Sequence, residues 1–174
     1  PVEVQYGWPV FIPGVGRVLS VEIATGIRPH PFPLESVRDD FDTPELRNCW
    51  NFLRTPYTRW FELADGKLML QLRPESVKEP VNPSLIARRI QHFNFTASTT
   101  MHFKPEREGE EAGLILMQNG ANHYRLVKQR RHGKDSLLLY KVDKGRQMVM
   151  AAVPLENKQV SLWVVAQGKV FRLN

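Results

Sequence analysis

The 174-residue chain contains one cysteine, Cys49, so it can form neither an internal disulfide nor a thiolate metal cluster. That scarcity leaves its redox compartment undetermined. No apolar run approaches the roughly eighteen residues of a membrane span, which excludes a spanning helix. The N-terminal PVEVQYGWPV lacks the basic start and apolar middle of a secretory signal. Either the protein stays inside the cell, in cytoplasm or periplasm, or the segment that addressed it has been removed. The five histidines, His30, His92, His102, His123 and His132, show no His-Glu-x-x-His spacing. The sequence therefore predicts neither zinc nor a cofactor. From Asp39 onward no stretch of ten residues has helical periodicity.

What is present is an ordinary globular composition, 42% apolar and 24% charged, enough to bury one core. The net charge of +6 suits nucleic acid or an acidic polysaccharide, but it is spread along the chain except in KQRRHGK, residues 128–134. Apolar-patterned runs flank that cluster and Gly133 supplies a turn, so it reads as a solvated hairpin tip and not as a nucleic-acid site.

Six of the thirteen prolines fall in residues 1–36. Such density rules out helix and predicts an extended tether following the surface of something else. Tyr6, Trp8, Val10, Phe11 and Ile12 are too apolar for a free linker and call for a partner surface. Residues 37–174 carry strand and turn signals. RWFELADGKLMLQLR reads as a hairpin turning at Asp65-Gly66. Residues 93–103, FNFTASTTMHF, form a strand of roughly 35 Å at about 3.3 Å per residue. Phe93, Phe95, Met101 and Phe103 are expected in the core. Asn94, Thr96, Ser98 and Thr100 form an outer polar face. A meander follows, with turns at Asn119-Gly120, His132-Gly133, Lys144-Gly145, Glu156-Asn157 and Gly168. Long strands joined by such turns predict an all-β, antiparallel β-sandwich, a jelly roll. The last run, Val170 to Asn174, stops without a turn, so the chain reads as cut short at its C-terminus. An unpaired sheet edge there would invite self-association.

Candidate chemistry is sparse. Asp39, Asp40 and Asp42 at a strand entrance offer oxygen ligands, but too few for a calcium cage, and a capped turn accounts for them. Glu106, Glu108, Glu110 and Glu111 form a charged connection instead of facing another acid across a cleft. Exposed aromatics flanked by polar groups are the usual platforms for sugar rings. Trp50, Tyr57, Trp60, Tyr124 and Tyr140 are candidates, with Trp50 and Trp163 expected in the core. Tyr57 and Trp60, beside Pro56 and Arg59, are expected at the surface. His92, His102 and His123 read as polar-face strand residues. Asn94-Phe95-Thr96 matches a glycosylation rule, but its place in a paired strand makes it a chance match.

Three segments in order, HPFPLESVRDDFDTPELRNCWNFLRTP, NPSLIARRIQHFNFTASTTMHFKP and EEAGLILMQNGANHYRLVK, closely resemble a known family. It is the C-terminal concanavalin A-like β-sandwich domain of glycoside hydrolase family 43 β-xylosidases and α-L-arabinofuranosidases. The leading PVEVQYGWPVFIPGVGRV resembles the end of that family's five-bladed propeller and its exit linker. The resemblance implies that the carboxylates performing inverting hydrolysis lie on the propeller. No catalytic residue is therefore assigned to this chain. Inversion needs two carboxylates about 6.5 to 9.5 Å apart, and the retaining Glu-x-Asp-x-x-Glu pattern of related sandwich enzymes is also absent. The implied role is a non-catalytic accessory domain in xylan breakdown that supports the propeller and its pocket. An independent module binding xylo- or arabino-oligosaccharides is the alternative. Tyr57, Arg59, Trp60, Asn94 and Thr96 are the residues expected to meet a carbohydrate or the propeller.

Overall fold

The structure is a computed structural model that describes residues 2–11, 14, 30–33 and 36–174, with Phe11 described in its backbone only. Most of the expected proline-rich tether, including Ile12, lies outside those residues. The chain divides into two compact units, Pro1–Asp39 and Asp40–Asn174. In the first, β1 (Val2–Gln5) and β2 (Trp8–Phe11) form a hairpin whose turn places Tyr6 and Gly7 at φ 54° and 82°. Val4, Tyr6 and Trp8 are exposed there.

The second unit holds eleven strands and, among the described residues, no helix. Two short pairs come first, β3 (Trp50–Phe52) with β6 (Ile86–Arg88), and β4 (Phe61–Ala64) with β5 (Lys67–Leu70). The β4–β5 turn falls on Asp65-Gly66, at φ 53° and 65°, the left-handed pair that a two-residue hairpin requires. The long strands are β7 (Asn94–His102), β8 (Glu111–Asn119), β9 (Asn122–Arg131), β10 (Lys134–Asp143), β11 (Arg146–Pro154), β12 (Gln159–Gln167) and β13 (Val170–Leu173). They build a four-stranded sheet, β11-β10-β9-β8, and a three-stranded sheet, β13-β12-β7, all antiparallel. The expected antiparallel β-sandwich is thus the observed architecture.

Burial follows the period-2 alternation of strands. On β12, Leu162, Val164 and Ala166 are buried; on β10, Leu138, Tyr140 and Val142. Val127, Leu138 and Tyr140 pack as one cluster. Gly113 on β8 has a steric reason, since a Cβ there would lie 2.1 Å from the Leu126 carbonyl oxygen and 2.7 Å from Val127 Cα. β11 is exposed along its whole length, as an edge strand must be when nothing covers it. Its pairing with β10 slips between Leu139 and Tyr140, leaving Met150 as the extra residue of a bulge.

Several expectations need correction. The segment at Glu156-Asn157 is no hairpin turn, because β11 pairs with β10 while β12 pairs with β7 and β13. It carries the chain from one sheet to the other. Phe93 lies just outside β7 and is 83% exposed. Phe95, Met101 and Phe103 are half-buried, and Phe95 meets Phe171 at 6.5 Å between ring centroids. β7 is an edge strand of its sheet, so its inward residues are covered on one flank only. Lys128, expected in a solvated tip, is fully buried. Its ammonium donates to the carbonyls of Phe103 (3.1 Å) and Asn157 (2.7 Å) and lies 3.8 Å from Asp135, tying β9 to the ends of β7 and of the crossover. His123, expected on a polar face, is also buried.

Candidate functional site

The segment between β3 and β4, with the residues just before β3, builds an open groove in the second unit. It encloses about 460 Å³ and is lined by Pro44, Glu45, Pro56, Tyr57, Arg59 and Phe61, among others. Two prolines stiffen its walls and present Tyr57 at 97% exposure. Arg59 donates from Nε to the Phe61 carbonyl at 3.1 Å and lies 5.3 Å from the Phe61 ring centroid, which holds its guanidinium along the groove. A fully exposed ring can stack on a sugar face while the fixed cation beside it donates to the oxygens of the sugar hydroxyls.

Trp60, grouped with these two on sequence grounds, turns the other way. It is 2% exposed, packed between Phe52 and Phe61, with Arg73 6.0 Å from its ring. Its Nε1 donates to Asn82 Oδ1 at 2.7 Å, and Asn82 Nδ2 donates to the carbonyls of Leu53 and Arg54, each at 3.0 Å. A ring whose only polar atom is satisfied inside the core is no platform, so the surface role expected for Trp60 gives way to a structural one. Two short pairs, β3–β6 and β4–β5, need that anchor because neither is stable as an isolated ribbon.

Asn94 and Thr96 lie on β7 and do not line the groove. Asn94 Oδ1 accepts from the Gly168 amide at 2.9 Å, locking the β12–β13 turn, and Thr96 is exposed opposite Val165. Their outer face carries a residue that sequence reasoning sent to the core. Trp163 is 50% exposed, directly opposite Ser98, with the Thr100 and Ser161 hydroxyls bonded nearby at 3.1 Å. The parity of QVSLWVVAQ held the signal: Val160, Leu162, Val164 and Ala166 alternate with Gln159, Ser161, Trp163 and Gln167. Trp50 is half-buried and meets Phe41 at 5.7 Å.

Two carboxylates of the charged connection before β8 are occupied by the fold. The Glu108 carboxyl is held below its usual range chiefly by the Gly133 amide, with help from the His132 amide, and Glu110 likewise by the amides of Glu106 and Arg107. Among the described residues, no three His, Cys, Asp or Glu side chains converge as metal ligands would. No helix there is long and apolar enough to cross a membrane.

Comparison with known proteins gives a consistent set of matches. The model of the family described as the β-xylosidase C-terminal concanavalin A-like domain matches residues 38–173. The chain is 33% identical over 142 residues to the non-reducing end α-L-arabinofuranosidase BoGH43B of Bacteroides ovatus, covering 80% of this chain and 27% of that protein. It is 29% identical over 169 residues to a xylosidase/arabinosidase of Butyrivibrio fibrisolvens, covering 94% and 32%. Among solved structures, the Bacteroides ovatus xyloglucan PUL GH43B superposes with a TM-score of 0.91 at 30% identity, over 99% of this chain and 35% of that one. The xylan β-1,4-xylosidase of Bacillus halodurans C-125 superposes with a TM-score of 0.89 at 29% identity, over 99% and 34%. The chain spans about a third or less of the length of these relatives.

Proposed function

Because the chain belongs to the family of β-xylosidase C-terminal concanavalin A-like domains, we propose that it is a non-catalytic accessory domain of a family 43 glycoside hydrolase acting on xylan. It supports a propeller that carries the bond-breaking carboxylates, and residues 1–36 are the end of that propeller and its linker. The observation that carries the reading is the family match across residues 38–173, in a chain about a third as long as its relatives. Exposed Val4, Tyr6 and Trp8 in the first unit fit a segment made to lie against another surface. Tyr57 and Arg59, in their open groove, are the contacts offered to the propeller or to xylo- or arabino-oligosaccharides.

The test has two arms. The 174-residue chain alone should release no nitrophenol from aryl xylosides or arabinosides. Removal of residues 40–174 from the longer polypeptide should lower its activity or its melting temperature. A truncated enzyme with unchanged kinetics and melting would remove the basis of the proposal.

A second reading is an independent carbohydrate-binding module, and Trp163 favours it: a half-exposed indole amid Ser and Thr hydroxyls is the usual surface for a pyranose ring. Calorimetric titration with xylohexaose separates the two. Heat that vanishes in Trp163→Ala or Tyr57→Ala supports the module, and its absence leaves the supporting role.

A further inference from the structure

The outer face of the three-stranded sheet presents a cation that the fold itself does not use. Strand register and period-2 projection place Thr96, Ser98 and Thr100 of β7 on that face, with Ser161 and Trp163 of β12 and Arg172 of β13. All six are exposed, whereas Leu162, Val164 and Ala166, which alternate with them on β12, are buried. Trp163 stands in the middle. Ser98 is its partner on β7, and Asn174 is its partner on β13, tied by reciprocal backbone hydrogen bonds of 2.8 and 2.9 Å that fix the chain beneath the indole. Thr100 and Ser161 lie one step along the face, their hydroxyls bonded to each other at 3.1 Å. Arg172 lies one step the other way, opposite Val165, on the diagonal from Trp163. Diagonal neighbours on antiparallel strands are about 7 to 8 Å apart, a gap that a long side chain spans.

Arg172 makes no hydrogen bond, ion pair or ring contact among the described residues. Arg125 and Arg130, by contrast, are engaged by Glu111 and Asp135. No acid on the sheet offsets Arg172 either, because β7, β12 and β13 contain no Asp or Glu.

We infer that this face binds a xylo-oligosaccharide carrying a uronic acid, with one pyranose ring stacked on Trp163 and the uronate carboxylate held by Arg172. The indole face covers the C–H face of a sugar. Hydroxyls at Ser98, Thr100 and Ser161 both donate to and accept from the sugar hydroxyls around the stacked ring. A guanidinium meets a carboxylate in a two-bond fork that fits its shape and charge. A nucleic acid would need a row of cations along its backbone track, and these three strands hold one arginine and no lysine. The choice of a sugar rests on the reading of Trp163 as a carbohydrate platform. The preference for an acidic sugar rests on Arg172.

NMR titration of the 174-residue chain at low salt, followed through the indole N–H signals of its four tryptophans, tests the inference. The signal lost in Trp163→Ala reports this face. The probes are aldotetraouronic acid, neutral xylotetraose and a single-stranded oligoribonucleotide. The uronate should shift that signal with an affinity about fivefold tighter than that of xylotetraose, a margin that shrinks as salt is raised. Arg172→Gln, an exposed change on an edge strand, should leave the melt unaltered and bring the two sugars to equal affinity. Arg172→Lys should keep part of the margin, since it retains the charge and loses the fork. Equal affinity of the two sugars in the parent chain would overturn the uronate assignment while leaving Trp163 a neutral platform. Tighter binding of the RNA would also overturn it. No shift of the Trp163 signal with either sugar at millimolar concentration would overturn the assignment and the platform together. The accessory role fails on a separate measurement, unchanged kinetics and melting after domain removal.

Discussion

Lys128→Met isolates the contribution of one buried ammonium. The substitution keeps the volume and length of the side chain while removing its charge and three donors. In the native chain that ammonium is fully buried and holds two carbonyl oxygens at 3.1 and 2.7 Å, with Asp135 at 3.8 Å. Charge-assisted hydrogen bonds contribute about 1.5 to 3 kcal/mol each, net of desolvation, so losing two costs about 3 to 6 kcal/mol. Against this, the methionine buries apolar surface in place of an ammonium and recovers about 1 to 3 kcal/mol. The balance is a net loss of about 3 kcal/mol. At about 2 to 4 °C per kcal/mol for a chain of this size, the melting temperature should fall by about 9 °C. Urea and thermal unfolding followed by tryptophan fluorescence would read both numbers. A melt within about 2 °C of the parent, or above it, would show that the ammonium does not hold the crossover to β9.

Three further outcomes are expected. Asn82→Ala strips Trp60 Nε1 and two carbonyls of their partner, and should cost about 2 to 3 kcal/mol in urea unfolding while leaving sugar titrations unchanged. His123 titrates below its usual range, mainly because burial opposes its charge and also because of Lys78, with the backbone of Asn119 and Gly120 pulling the other way. The unfolded chain then takes up the proton first, so stability is full above about pH 6.5 and declines as pH falls below it. His123→Leu should flatten that decline, and an unchanged pH profile of urea midpoints would refute the assignment. Met150→Lys on the exposed bulge of β11 should abolish any concentration-dependent self-association seen by sedimentation, without lowering the melt by more than about 0.5 kcal/mol.

Much of the architecture was legible because it rests on local signals. Asp65-Gly66, His132-Gly133 and Lys144-Gly145 all adopt the paired left-handed conformations that two-residue hairpins need. These are decided by the residues of the turn themselves. Glu156-Asn157 was misread because no local chemistry distinguishes a hairpin from a crossing between sheets; only the partners of the flanking strands do. The same limit hid Lys128 and His123, whose burial depends on segments tens of residues away, at Phe103, Asn157 and Lys78. Trp60 and Trp163 were exchanged for a subtler reason. An indole beside proline and arginine looks exposed, and one inside an apolar run looks buried, yet period-2 projection and a single amide at Asn82 decide otherwise. In the candidate site, Tyr57 and Arg59 were found through their neighbouring prolines. Elsewhere on the second unit, the bonds that link Glu111 to Gln129 and Arg125, and Arg125 to Gln147, depend on strand register, which no single segment encodes.

The crossover between the sheets also sets the order of assembly. Within β8 to β11 every neighbour is joined by a two-residue turn, so that meander can zip by short loop closures. β7 must wait for β12, since Asn94 pairs with Gln167 73 positions away and His102 with Gln159 57 positions away. Closing such loops is entropically dear and slow, which makes the β7–β12 seam the late step of folding. Weakening it, as by Leu162→Ala, should mostly hasten unfolding and barely retard refolding, the signature of contacts that form after the barrier.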